Sequence, residues 1–147
     1  MMIRTTWISP CDVDNLTTEQ RKKNMQHIRS VGTLPERIVM QALRKQRIYF
    51  AAHVSSLPGK PDIVFRRKRI VVFIDSDFWH GHPNRFRLPA TNRDYWREKI
   101  EGNKVRDRLV NKELRKRGWT VMRLWEYDIK HRLEVTMMKV LNKVDGA

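Results

Sequence analysis

"PDIVFRRKRIVVFIDSD", Pro61 to Asp77, decides the fold. Two apolar, β-branched runs, "PDIVF" and "RIVVFI", flank the polar "RRKR", and runs of that composition favour extended chain packed on a pleated surface. That short polar stretch suits a hairpin turn. The start of the first strand then lies beside the end of the second, so Asp62 and Asp75 come together at one rim of the sheet. A pair of carboxylates there is close enough to share a divalent cation, and hard oxygen ligands suit magnesium. The competing reading is plain turn chemistry, since Asp is common in turns.

Outward from the hairpin, "IYFAAHV" and "WTVMRLW" add two β-rich runs. "TLPERIVMQALRKQ" reads as a helix with Pro35 in its first turn and Leu34, Ile38, Val39, Ala42 and Leu43 on an apolar face. "NLTTEQRKKNMQHIRSVG" offers Thr17 and Gln20 as a capping box, then a basic helix with Met25 and Ile28, closed by Gly32. A long basic helix runs from Arg93 to Arg117, opened by Thr91 or Asn92 and stopped by Gly118, with Gly102 a point of bending. A last helix covers Leu133 to Val144. The order ααβββαβα implies an α/β fold, a mixed sheet flanked by helices. Residues 1–15 read as a tail and 16–147 as one domain, since 147 residues suit a single core.

Lys and Arg number 31 against 16 Asp and Glu, a formal charge of +15. Such a field favours a polyanion, nucleic acid first. No stretch approaches the ~20 apolar residues of a membrane span, and "MMIRTTWISP" lacks the apolar core of a signal peptide. A cytoplasmic, nucleoid-associated protein is the expectation. Cys11 is the only cysteine, which excludes an internal disulfide and a cysteine-rich zinc site.

Read together, "PERIV", "LPGKPDIVF", "FIDSDFWHGHP", "YWREKIEGNKVRDR" and "RGWTVMRLWE" resemble, in this order, the very short patch repair (Vsr) endonucleases, from about Leu16 to Ile129. The most specific part is Phe78-Trp79-His80 after an acid-bearing strand, with Tyr95-Trp96, Asn103 and Arg106-Asp107 downstream. The resemblance implies a restriction-endonuclease-like core of PD-(D/E)xK type that hydrolyses a DNA phosphodiester with magnesium, most simply at a T:G mismatch. Its metal-binding Asp falls on Asp62, its catalytic His on His80, its supporting Asp on Asp107 and its helix Glu on Glu36. The matching family aromatics at Phe78, Trp79 and Trp96 wedge into the base stack, and a Met at the position of Met25 enters from the other side.

The chemistry supports those roles independently. A phosphodiester anion repels hydroxide, so hydrolysis needs charge neutralisation and a generated nucleophile. Histidine is the side chain that takes a proton from water around neutrality, and a carboxylate such as Asp107 holds its tautomer. Glu36, three residues after Thr33, reads equally as a capping-box acid, and Asp107 as a partner of its helix neighbours. Phe78 and Trp79 are costly in a polar loop unless covered, either by folding inward or by DNA. Trp119 and Trp125 read as core. Arg97, Lys99 and Lys104 give the long helix phosphate-facing charge.

One departure from the family stands out. Typical members carry a structural zinc held by cysteines and a histidine around the Phe-Trp-His motif. Asp77, Asn84 and Tyr127 occupy the cysteine positions here and only His82 remains, a poor closed zinc site. Structural zinc is therefore expected to be absent, with the loop "GHPNRFRLP" fixed by packing and by Pro83 or Pro89. A zinc-less core also resembles the homing endonucleases of mobile introns, which cut matched sites. A non-catalytic DNA-binding module and an RNA-binding protein are the alternatives from other classes. Duplex DNA is the expected partner, with a monomer favoured.

Overall fold

The computed structural model describes residues 32–146. The expected basic helix with Met25 and Ile28, the tail and Cys11 lie outside them. In chain order the elements are α1 (Leu34–Lys45), β1 (Ala51–Ala52), β2 (Ile63–Phe65), β3 (Ile70–Asp75), α2 (Arg93–Lys116), β4 (Thr120–Trp125), α3 (Glu126–His131) and α4 (Leu133–Gly146). The sheet order is β1-β2-β3-β4, with β1, β2 and β3 antiparallel in succession and β4 parallel to β3. A parallel pair needs a long crossover, and α2 supplies it. This is the mixed α/β sheet that the sequence implies.

The "RRKR" turn closes the hairpin as expected, pairing Phe65 with Ile70 and Ile63 with Val72. Strand alternation then sorts the apolar side chains. Ile63, Phe65, Ile70, Val72 and Leu124 face one layer formed by α1, α3 and α4, through Val39, Leu43, Ile129, Met137 and Val140. Val64, Val71 and Phe73 face the other way, against Leu114 of α2, with Val121 and Trp119 beside them. Because side chains alternate along a strand, Asp75 and Arg123 share the face of Phe73 and Val121, the one that α2 covers.

Three expectations change. "IYFAAHV" contributes only a two-residue strand, Ala51–Ala52, because the preceding Ile48 and Phe50 pack on the helical layer. A short helix, α3, intervenes between β4 and the last helix, where "EYDIKH" has no apolar stripe long enough to announce itself. Glu36 does not share a capping box with Thr33: the Thr33 side chain makes no cap, while the Glu36 carboxylate accepts the Gly32 N–H at 2.6 Å.

Candidate active site

The hairpin brings the entry of β2 beside the exit of β3, and the Ile74 N–H donates to Asp62 Oδ2 at 2.8 Å. Two clusters form around that rim. In the first, Glu36 from the opening turn of α1 and His53 from the bend after β1 converge on Asp62. His53 Nε2 lies 3.6 Å from Glu36 Oε2, and its Nδ1 lies 4.0 Å from Asp62 Oδ1. Glu36 is 3% exposed. Burial, with Glu36 and Asp75 repelling the anion, pushes the Asp62 carboxyl up to about 7 against the backbone hydrogen bond from Ile74. An anion held so unfavourably is the natural seat of a cation. Two carboxylates and an imidazole whose ligand atoms all lie within 4.8 Å are a donor set that fits a divalent metal.

The second cluster is Asp75, His80 and Asp107. His80 Nδ1 stands 2.6 Å from Asp107 Oδ2, and His80 Nε2 is 3.8 Å from Asp75 Oδ1. Against an ionised Asp107, Nδ1 must carry the proton, which leaves the Nε2 lone pair directed away from Asp107. Asp75 is 3% exposed, and its carboxyl is raised by burial against the opposing pull of His80 and Arg123. Arg123 Nη1 donates to both Asp75 oxygens, at 2.9 and 3.1 Å. The expectation that Asp62 and Asp75 share one ion thus meets a different arrangement. Asp62 gathers with Glu36 and His53, while Asp75 is occupied by an arginine.

Beside the clusters, the residues after β3 form an aromatic group. The Phe78 and Trp79 rings meet edge to face with centroids 5.1 Å apart, and Trp96 lies 5.5 Å from Phe78 and 5.8 Å from Trp79. Asn103 Nδ2 donates to the Trp79 carbonyl at 2.8 Å, tying the loop to α2. Gly81, with φ of 62°, lets the loop approach α2 so closely that a Cβ would collide with Lys104 and Ile100. Phe78 and Trp79 are half-buried. Trp96 departs from the expectation of a ready surface wedge: it is 1% exposed, because the first turn of α2 carries it inward with Ile100. Its indole N–H has no partner among the described residues. Arg97, Lys99 and Lys104 do line α2, Arg97 and Lys104 beside Asp94 and Glu101. Trp119 is partly buried against the core beneath α2, as expected, whereas Trp125, also partly buried, meets the His82 ring with centroids 4.5 Å apart.

At the positions of the family's zinc ligands the loop is held by other contacts. The Arg85 guanidinium lies 3.6 Å from the centroid of Tyr127, and its Nε is 3.9 Å from Asp77 Oδ2. The Asp77 N–H donates to Glu126 Oε1, and the Asp77 carbonyl accepts the His82 N–H at 2.8 Å. Pro89 is buried and Pro83 exposed, so of the two prolines only Pro89 packs.

Sequence reasoning did not single out His53 or Arg123 for the site. Ala52 pairs with Ile63, so the residue after Ala52 stands opposite Asp62, a signal visible once that register is known. Arg123 interrupts the apolar "TVMRLW", and a charge inside a core strand is a signal by itself.

The model of the family described as DNA mismatch endonuclease Vsr matches residues 13–85. A type II nicking enzyme, V.XorIIP of Xanthomonas oryzae pv. oryzae, is 41% identical over 117 residues, 79% of this chain and 86% of that protein. V.NmeDIP of Neisseria meningitidis serogroup C, also a type II nicking enzyme, is 40% identical over 119 residues, 80% of each. The DNA mismatch endonuclease Vsr of Escherichia coli K12 is 38% identical over 117 residues, 79% of this chain and 75% of that protein.

Proposed function

The chain belongs to the Vsr family of DNA mismatch endonucleases, and from that we propose that its domain, residues 16–147, nicks one strand of duplex DNA at a T:G mismatch with magnesium as cofactor. The observation that carries the reading is the 2.6 Å His80–Asp107 contact set beside a half-buried Asp62 whose carboxyl is pushed up to about 7. Asp62, with Glu36 and His53, would hold the magnesium, which when bound supplies charge neutralisation at the phosphate. The chain's own residues do the rest. His80 Nε2 takes the proton of the attacking water, and Asp107 retains the Nδ1 proton and balances the imidazolium that forms. The arrangement also gives Glu36 a role beyond a cap, as a second carboxylate against the cation.

Half-buried Phe78 and Trp79, backed by Trp96, form the wedge, and Met25 is the expected partner from the opposite side. Wedging costs a few kcal/mol of lost stacking, and a weak wobble step lowers that cost. Arg97, Lys99 and Lys104 hold the backbone and add affinity without sequence information. The relatives named as nicking enzymes support single-strand cleavage, for which the one site of a monomer suffices. Action on bacterial DNA in the cytoplasm accords with the charge of +15, and no helix among the described residues is long and apolar enough to cross a membrane. The deciding experiment is cleavage of a panel of matched and T:G-mismatched duplexes with magnesium. Nicking confined to T:G duplexes bears out the proposal; cutting of a matched site at equal rate would replace it with the homing activity.

A further inference from the structure

Arg123 lies inside the site rather than at its margin. Its side chain is 19% exposed, and its guanidinium stands over the Phe73 ring at 4.2 Å from the centroid. Nε donates to Asn111 Oδ1 at 2.9 Å. Nη1 reaches both oxygens of Asp75 and lies 3.6 Å from Asp107 Oδ1. One planar cation therefore touches two of the three ligands in the Asp75–His80–Asp107 cluster, and Phe73 and Asn111 fix its plane. By contrast, the basic neighbour that Glu36 and Asp62 share is the His53 imidazole, itself a metal ligand when neutral. Two neighbouring acid–imidazole clusters would suit the paired-cation arrangement of many nucleases, yet one of them already holds a permanent positive charge.

We propose that Arg123 is a built-in second cation: it closes the Asp75–His80–Asp107 cluster to a metal ion, leaves the enzyme with a single divalent site, and holds Asp75 and Asp107 where they align His80. The physical basis is competition for the same lone pairs. A guanidinium satisfies carboxylate oxygens in fixed geometry and cannot be deprotonated near neutrality. A divalent ion entering the cluster must displace it and leave a charge stranded in a largely buried place. Arg123 is thus a positioning residue, acting on the phosphate chemistry through Asp75, Asp107 and His80. The inference rests on Asp62 as the metal ligand of the proposed function.

The test counts Mn²⁺ ions bound to the full-length protein by electron paramagnetic resonance, without DNA. Wild type binds one ion and R123M binds two, while adding D62N to either lowers its count by one. R123M also loses cleavage by on the order of 10²-fold, the scale of removing one preorganised charge, and R123K, keeping the cation, recovers part of it. Two ions on wild type, or equal counts for wild type and R123M, would overturn the proposal. The wild-type count decides on its own if R123M does not fold. D62N binding as many ions as its parent overturns the Asp62 site instead, an outcome distinct from any change in count between wild type and R123M.

Discussion

His80 Nδ1 donates to Asp107 Oδ2 across 2.6 Å, joining a loop after β3 to the middle of α2, 27 residues away. The contact sets which imidazole nitrogen is protonated, and so which one is able to accept a proton from water.

Asp107→Asn retains a hydrogen bond but offers an amide donor to Nδ1, which favours the opposite tautomer. Cleavage in single-turnover assays falls by on the order of 10²–10⁴-fold, the worth of general-base help. Duplex affinity stays near wild type by fluorescence anisotropy. An unchanged rate would mean that water is activated without His80, and His80→Ala would then be silent as well.

Asp62→Asn removes metal-dependent cleavage and stabilises the metal-free protein at alkaline pH. Asp62 titrates at about 7 in the folded state against an ordinary 3.8. A raised carboxyl favours folding while protonated, and that contribution is lost as pH rises through about 7. The neutral amide has no such loss. The metal-free Tm of the variant therefore exceeds that of wild type at pH 8 by about 3–5 °C per kcal/mol gained, and the gap closes at pH 4. Mn²⁺ raises the wild-type Tm at pH 8 and leaves the variant unmoved. A variant less stable at pH 8 would count against the burden assigned to Asp62.

The aromatic group predicts two phenotypes from neighbouring tryptophans. Trp79→Ala costs less stability than Trp96→Ala, since its ring is only partly buried, and abolishes most of the preference for T:G over T:A duplex. Its salt dependence of binding stays nearly constant, because phosphate contacts are untouched. Trp96→Ala, at a position 1% exposed, costs about 3–5 kcal/mol of stability in urea unfolding. Equal stability losses in the two variants would contradict the layering of Trp96 beneath its neighbours.

The purified protein carries well under one zinc per chain by elemental analysis, and chelator leaves its Tm unchanged. The loop relies on Arg85 over Tyr127 and on backbone bonds around Asp77, so Tyr127→Ala loosens it, visible as faster amide exchange between residues 81 and 89. One tightly bound zinc per chain that Asp62→Asn retains would show that the loop around Asp77 and His82 finds a metal after all.

The hairpin was legible from "PDIVFRRKRIVVFIDSD" because strand periodicity and a short polar turn are local signals, and they already set Asp62 beside the end of β3. The charge of +15 announced a polyanion for the same reason: composition needs no fold. The family motif further singled out His80 and Asp107, whose meeting depends on α2 crossing back over the sheet. Tertiary structure alone decided the rest. By pattern Asp75 was a cation ligand shared with Asp62, and it became half of an ion pair because β4 lies parallel to β3 and directs Arg123 to the same face. His53 joined Asp62 through the β1–β2 register, and Trp96 went inward because α2 presents that side to the loop. Local sequence sets which side chains alternate and where the chain turns, but which charges share a buried face is set by strand pairing and helix coverage, and these arise from contacts distant along the chain.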